Sequence, residues 1–394
     1  MKIGTLISNG IIIVLLVAST SGIAQTLPED PSKGGSLFTS KGCVKCHAIK
    51  GEGGKTGPDL GTISLGSTQL DLAAGIWNHT PSMIAGMVQA GIAKSTLTGQ
   101  EFTEITAYLY FLRFFDESGD AAGGEILFDQ KACQSCHNVS GRSTDSGPGM
   151  DEFPRNASPV YLSQAMWNHS LRMMARMVRY GKKWPDFEAT EMMDTLAYIK
   201  TKARGAEEPF FLKPGNPRAG RAVFNDKGCV NCHPIHGEGA KEGIDLGKKA
   251  ELYYTSLTRV ASRMWNKNPE MILFTIAPTQ CGVPRFTPKE MADLLAYLYF
   301  LHYTDRPGDA SKGKKIFSAI GCAQCHALDG KRGTLMVVDL SKFRNSQPAE
   351  IVASLWNHSI EMQSATGEKD VSWPQLKKGE MADLLEFIRT PLKK

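Results

Sequence analysis

Small and large apolar residues recur in register along the chain. Glycine and phenylalanine stand four apart at Gly34/Phe38, Gly124/Phe128, Gly220/Phe224 and Gly313/Phe317. Residues four apart share a helix face, so each pair predicts a short helix with one small and one large residue on the same side. Further on, stretches beginning at Glu101, Glu191, Glu290 and Glu380 each carry an aromatic seven residues later, at Tyr108, Tyr198, Tyr297 and Phe387. Seven residues are two turns, so these stretches predict a second helix with a stripe for core packing. Between the two, Trp-Asn recurs with methionine five residues after the asparagine: Trp77/Met83, Trp167/Met173, Trp265/Met271 and Trp356/Met362. The pattern predicts an all-α chain of four tandem small helical domains.

The N-terminus differs. "MKIGTLISNGIIIVLLVASTSGIAQ" has a lysine, an apolar run from Ile11 to Ala18 and small residues at Gly22 and Ala24, which predicts a secretory signal over 1–24 cut after Ala24. Read as an uncleaved anchor instead, the run is short against the roughly twenty apolar residues of a membrane span. The remainder divides into module one over 25–118, module two over 119–203, a linker over 204–220, module three over 221–308 and module four over 309–394. The linker stretch "RGAEEPFFLKPGNPRAG" holds three prolines and three glycines, the composition of a break between domains. A longer period overlies the shorter one. "GEGGKTGPDLG" from Gly51 returns as "GEGAKEGIDLG" from Gly237, and Trp184-Pro185 returns 189 residues later as Trp373-Pro374. The chain therefore reads as a duplicated pair, modules one and two joined by "FFDESGDAAGG" and modules three and four by "YTDRPGDASKG".

Nine cysteines sharpen the picture, because eight fall into one pattern: Cys43/Cys46/His47, Cys133/Cys136/His137, Cys229/Cys232/His233 and Cys322/Cys325/His326. Cys-x-x-Cys alone serves zinc or dithiol chemistry, but a histidine directly behind it is the spacing of c-type haem attachment. The first cysteines lie 90, 96 and 93 residues apart, so each pair serves its own module rather than sharing one four-ligand zinc ion. Four haem c groups are expected, held by thioethers to these eight cysteines, with iron on His47, His137, His233 and His326. The modules then form two dihaem pairs. A bound macrocycle gives each module an apolar body to fold around, which small domains need. Cys281 is left over, with a buried thiol as its default reading and a sulfur neighbour of the third haem as the alternative.

The methionines follow the attached histidines by 36, 36, 38 and 36 residues. That regularity makes Met83, Met173, Met271 and Met362 the expected sixth ligands, since a thioether opposite imidazole raises the reduction potential of cytochromes c. The competitors sit one turn earlier, at His79, His169 and His358. Module three has Lys267 there, so a single rule for all four favours methionine. The four tryptophans are expected beside the porphyrins. His236 and His302 have no such geometry and read as structural.

Gly-x-x-x-Phe, Cys-x-x-Cys-His, Gly-Pro at Pro58 and Pro148 and a closing helix with "AYL" resemble the class I cytochromes c. More narrowly, Trp-Asn-His with a downstream methionine resembles a bacterial group of that family. The resemblance covers nearly the whole chain after the signal. It implies helical domains in which the carbonyl of that proline accepts the histidine proton, and it departs at Ile244, Val338 and Lys267.

Charge adds little. The formal net charge of +5 falls to +4 without Lys2, and two propionates on each haem would make the holoprotein near neutral or acidic. No basic stripe with interleaved aromatics suggests nucleic acid. The expected protein is an electron carrier rather than an enzyme, in the periplasm or exported further. Its partners would be redox proteins or extracellular electron acceptors, with membrane contact only through those partners or an uncleaved signal. Two other readings stay open: an enzyme with one open haem in module three, and a filament of chains joined end to end.

Overall fold

The computed structural model describes residues 27–63, 68–114, 117–139, 147–188, 190–207, 215–248, 256–276, 283–328, 339–368 and 371–390. The expected signal, Cys281 and Val338 lie outside the described residues, as does much of the linker. Among those described, 14 α-helices account for nearly all regular structure, with one small hairpin, Ala48–Ile49 against Glu52–Gly53. None of these helices is long and apolar enough to cross a membrane.

Each module has an opening helix, a middle helix and a closing helix. Module one comprises α1 Lys33–Ser40, α2 Gln69–Gln89 and α3 Gly99–Phe111; module two comprises α4 Ala121–Gln130, α5 Pro159–Arg179 and α6 Glu191–Lys202. In modules three and four the middle helix is split. Module three has α7 Pro217–Asp226, α8 Leu257–Asn266, α9 Asn268–Ile276 and α10 Pro288–Phe300; module four has α11 Ala310–Ala319, α12 Pro348–Asn357, α13 Ser359–Glu368 and α14 Glu380–Arg389. Helix α7 begins inside the stretch expected as linker.

The glycine of each Gly-x-x-x-Phe marks a helix crossing. A Cβ on Gly34, Gly124, Gly220 or Gly313 would lie 2.1, 1.9, 1.9 or 2.0 Å from a backbone carbonyl of the closing helix, at Glu104, Asp194, Asp293 and Asp383. Only the missing side chain lets the two backbones meet. One turn on, the phenylalanine packs against the aromatic of the closing stripe: Phe38 on Tyr108, Phe128 on Tyr198, Phe224 on Tyr297 and Phe317 on Phe387, with ring centres 5.5–6.2 Å apart. Modules one to three add an ion pair over the crossing, Lys41–Glu101, Lys131–Glu191 and Lys227–Glu290, at 2.7–2.9 Å.

The modules pair differently from the expected order. Module one docks on module four, and module two on module three. The docking element is Trp-Asn. Trp77 Nε1 donates to the Pro374 carbonyl at 2.7 Å, while Asn78 donates to Leu376 O at 2.7 Å and accepts from Leu376 N at 2.8 Å. Trp356 and Asn357 do the same to Ser95 and Leu97 of module one. Between modules two and three, Trp167 and Asn168 hold Pro284 and Phe286, and Trp265 and Asn266 hold Pro185 and Phe187. Every asparagine thus borrows both backbone groups of one residue in the partner module.

Prolines complete the joint. Pro81 and Pro269 lack an N–H, so the carbonyls four residues back, on Trp77 and Trp265, lose their helical partners. Trp373 Nε1 takes the first and Trp184 Nε1 the second, both at 3.1 Å, with the two indoles of each joint 4.3 Å apart. The pairs meet on an approximate two-fold axis at Tyr110 and Tyr299, 189 residues apart, where each hydroxyl donates to the other's backbone carbonyl, at 3.3 and 2.9 Å. Helix α10 lies beside this axis, and every residue from Met291 to Phe300 is buried, including Asp293, which pairs with Lys289 at 2.5 Å.

Candidate functional sites

Each Cys-x-x-Cys-His begins with a left-handed residue, Gly42, Ala132, Gly228 or Gly321, and winds through one 3₁₀ turn. The turn closes when the histidine N–H donates to the first cysteine's carbonyl, at 2.9–3.0 Å in all four modules. All eight cysteines are half-buried. The turn therefore presents two sulfurs and one imidazole together, as the spacing predicts.

The ring orientation is fixed from behind. Nδ1 of His47, His137 and His233 donates to the carbonyls of Pro58, Pro148 and Ile244 at 3.0, 3.1 and 3.0 Å. Ile244 serves as well as proline because any residue has a carbonyl. The preceding glycine is required by approach. A Cβ on Gly57, Gly147 or Gly243 would stand 2.5, 3.0 or 2.7 Å from ring atoms of the histidine it faces. With Nδ1 engaged, Nε2 is left to face forward, the usual arrangement for a histidine that ligates metal.

Module four shows what lies in front. An apolar cavity of about 850 Å³, counted out to its open mouth, is lined by Cys322 and His326 on one side and by His358 and Met362 on another. Trp77 of module one contributes to its wall, so the tryptophan expected beside its own porphyrin reaches the partner's cavity. Met83, Met173 and Met271 are half-buried on their helices, the last two against the main core. Lys267 is tied at 2.8 Å to Glu270, and both are largely exposed.

The imidazoles of Trp-Asn-His are also brought to the sites. His79, His169 and His358 face His47, His137 and His326 with ring centres 6.3, 5.9 and 6.3 Å apart. His169 Nδ1 donates to Ala165 O at 2.6 Å, while its Nε2 is buried with no hydrogen-bond partner. Burial pushes this ring below its ordinary pKa, which favours the neutral form.

These observations bear on the other readings of the cysteine pairs. Burial raises the Cys43 thiol above its ordinary value and pushes those of Cys133, Cys229 and Cys322 up to about 11, whereas dithiol exchange runs on a readily formed thiolate. Among the described residues, no three of His, Cys, Asp and Glu gather as a metal site.

The family model for cytochrome c matches residues 31–112, 217–301 and 310–391. The chain belongs to the cytochrome c family. Domains of this family bind covalently attached haem c with iron, which indicates haem-based electron transfer. The matches cover modules one, three and four; module two has the same turn, glycine and carbonyl but lies outside them. No solved structure matches the chain. The residues fit such a group: two sulfurs and an imidazole at each turn, the imidazole oriented by a carbonyl in modules one to three, an apolar cavity in module four, and an orphaned imidazole nitrogen in module two.

The sequence reading missed the role of Trp-Asn. Its signal was present: asparagine follows tryptophan in all four modules, although a residue needed only beside a porphyrin would not require it.

Proposed function

We propose that this protein is an exported carrier of up to four electrons, with one haem c attached in each module and no substrate chemistry of its own. The observation that carries this reading is the fourfold recurrence of one turn, in which two cysteines and a histidine close on the same hydrogen bond. When bound, each haem supplies a one-electron iron couple. Cys43 and Cys46, Cys133 and Cys136, Cys229 and Cys232, and Cys322 and Cys325 would tether the group. His47, His137, His233 and His326 would hold its iron, the first three with their rings aimed from behind. In module four the walls of the site are apolar, and on this reading electrons pass between the docked modules, one with four and two with three. Redox proteins or extracellular acceptors on the oxidising side of the inner membrane are the partners this reading implies.

Mass spectrometry of denatured holoprotein should find four haem adducts on the chain, and the oxidised and reduced spectra should be low-spin throughout. Fewer adducts would end the four-haem reading. A high-spin fraction that binds carbon monoxide quickly would favour an enzyme with an open haem instead.

A further inference from the structure

Three modules set a second imidazole opposite the first. Two imidazoles on opposite sides of one metal ion, each with a metal–nitrogen bond of about 2 Å and its ring centre roughly 1 Å further back, hold their ring centres about 6 Å apart. The observed separations are 6.3, 5.9 and 6.3 Å. They agree although the helices that set them differ. His79 and His169 lie within unbroken helices, α2 and α5, whereas His358 sits between α12 and α13 with φ −90° and ψ 0°. One spacing reached by different local backbones points to a shared demand at the site.

In module two the other nitrogen agrees: His169 hands Nδ1 to Ala165 and leaves Nε2 buried without a partner. Each ring is also held by the residue before it, because Asn78, Asn168 and Asn357 are clamped from both sides by the partner module. Module three breaks the pattern: Lys267 replaces the histidine and is drawn out to Glu270, while Met271 lies one turn further on and packs against the core.

We propose that His79, His169 and His358 are the second axial ligands in modules one, two and four, and that Met271 alone supplies sulfur, opposite His233. The assignment rests on the four-haem reading and replaces the uniform methionine rule that sequence spacing favours. Because methionine opposite histidine raises the potential relative to paired imidazoles, it makes module three the preferred resting place of an electron and the other three its low-potential suppliers.

The test is the long-wavelength sulfur-to-iron charge-transfer band of the oxidised holoprotein, scaled to haem content and read beside the electron paramagnetic resonance of paired imidazoles. The expected intensity is one quarter of that for a chain with methionine on every haem. Met271→Leu should abolish the band, and His169→Ala should open one haem in four to carbon monoxide with the sulfur band unchanged. Full intensity, or no band in the unmodified protein, would overturn the assignment without touching the four-haem reading. A chain with no covalent haem by mass would instead remove the reading beneath it, and the assignment with it. The unmodified protein decides between these outcomes even if a variant fails to fold.

Discussion

Ala132 stands where the other modules place glycine, in the left-handed turn before the first cysteine, with φ 56°. An L-residue there carries strain of about 1 to 2 kcal/mol that glycine avoids, partly offset by the greater freedom of glycine in the unfolded chain. Ala132→Gly should therefore raise the stability of module two by up to about 1 kcal/mol, seen as a higher thermal midpoint of the holoprotein. An unchanged or lower midpoint would show that the turn is not strained. At this scale the turn was legible, because Cys-x-x-Cys-His closes on its own backbone. The second imidazole was harder to weigh: His79 and Met83 share a helix face, and spacing alone cannot say which of two residues one turn apart meets the opposite ring. Ile244 shows the converse, a departure from Gly-Pro that leaves the backbone carbonyl in place.

Between elements, the crossings of opening and closing helices depend on four glycines, and the sequence announced them without giving their reason. Periodicity showed a small residue beside a large one; only the packed helices show a carbonyl filling the space where Cβ would be. Gly124→Ala should cost roughly 3 kcal/mol, the upper range for overpacking, because Asp194 O would lie 1.9 Å from the new carbon and is backbone that cannot swing aside. Gly75, on the outer side of α2 with nothing within 4 Å, is the control, and Gly75→Ala should be neutral or slightly stabilising. Equal midpoints for the two variants in thermal unfolding would contradict the crossing argument. The indole joints were illegible for a different reason. Pro81 reads as a helix breaker, yet α2 runs through it because an indole from a residue 296 positions away takes the freed carbonyl.

For the whole molecule, the duplicated pair was visible in sequence and its partners were not. Short connections suggested that modules one and two belong together; the clamps join one to four and two to three. Linker length limits which modules can reach each other, but the choice lies with complementary surfaces, here a proline-freed carbonyl in one module and a Trp-Pro indole in the other. Asn78→Ala removes two hydrogen bonds from the first pair and strands the Leu376 backbone groups, a loss of about 2 kcal/mol. Hydrogen exchange should then quicken at the Leu376 amide while the Phe187 and Phe286 amides, clamped by Asn266 and Asn168, keep their protection. Quickening at all of them alike would mean the pairs do not act separately.

Because the Trp-Asn clamp of module one closes on module four, translation imposes a wait. Modules two and three emerge in succession and can dock as soon as both have folded. The opening module must stand with an unfilled asparagine and a bare indole until the end of the chain arrives, since contacts of such long sequence separation form late. A ribosome that stalls within module four would thus leave module one held to the bound pair through Tyr110 and Tyr299 but with its Trp-Asn clamp unfilled, ready to take the fourth module of some other chain.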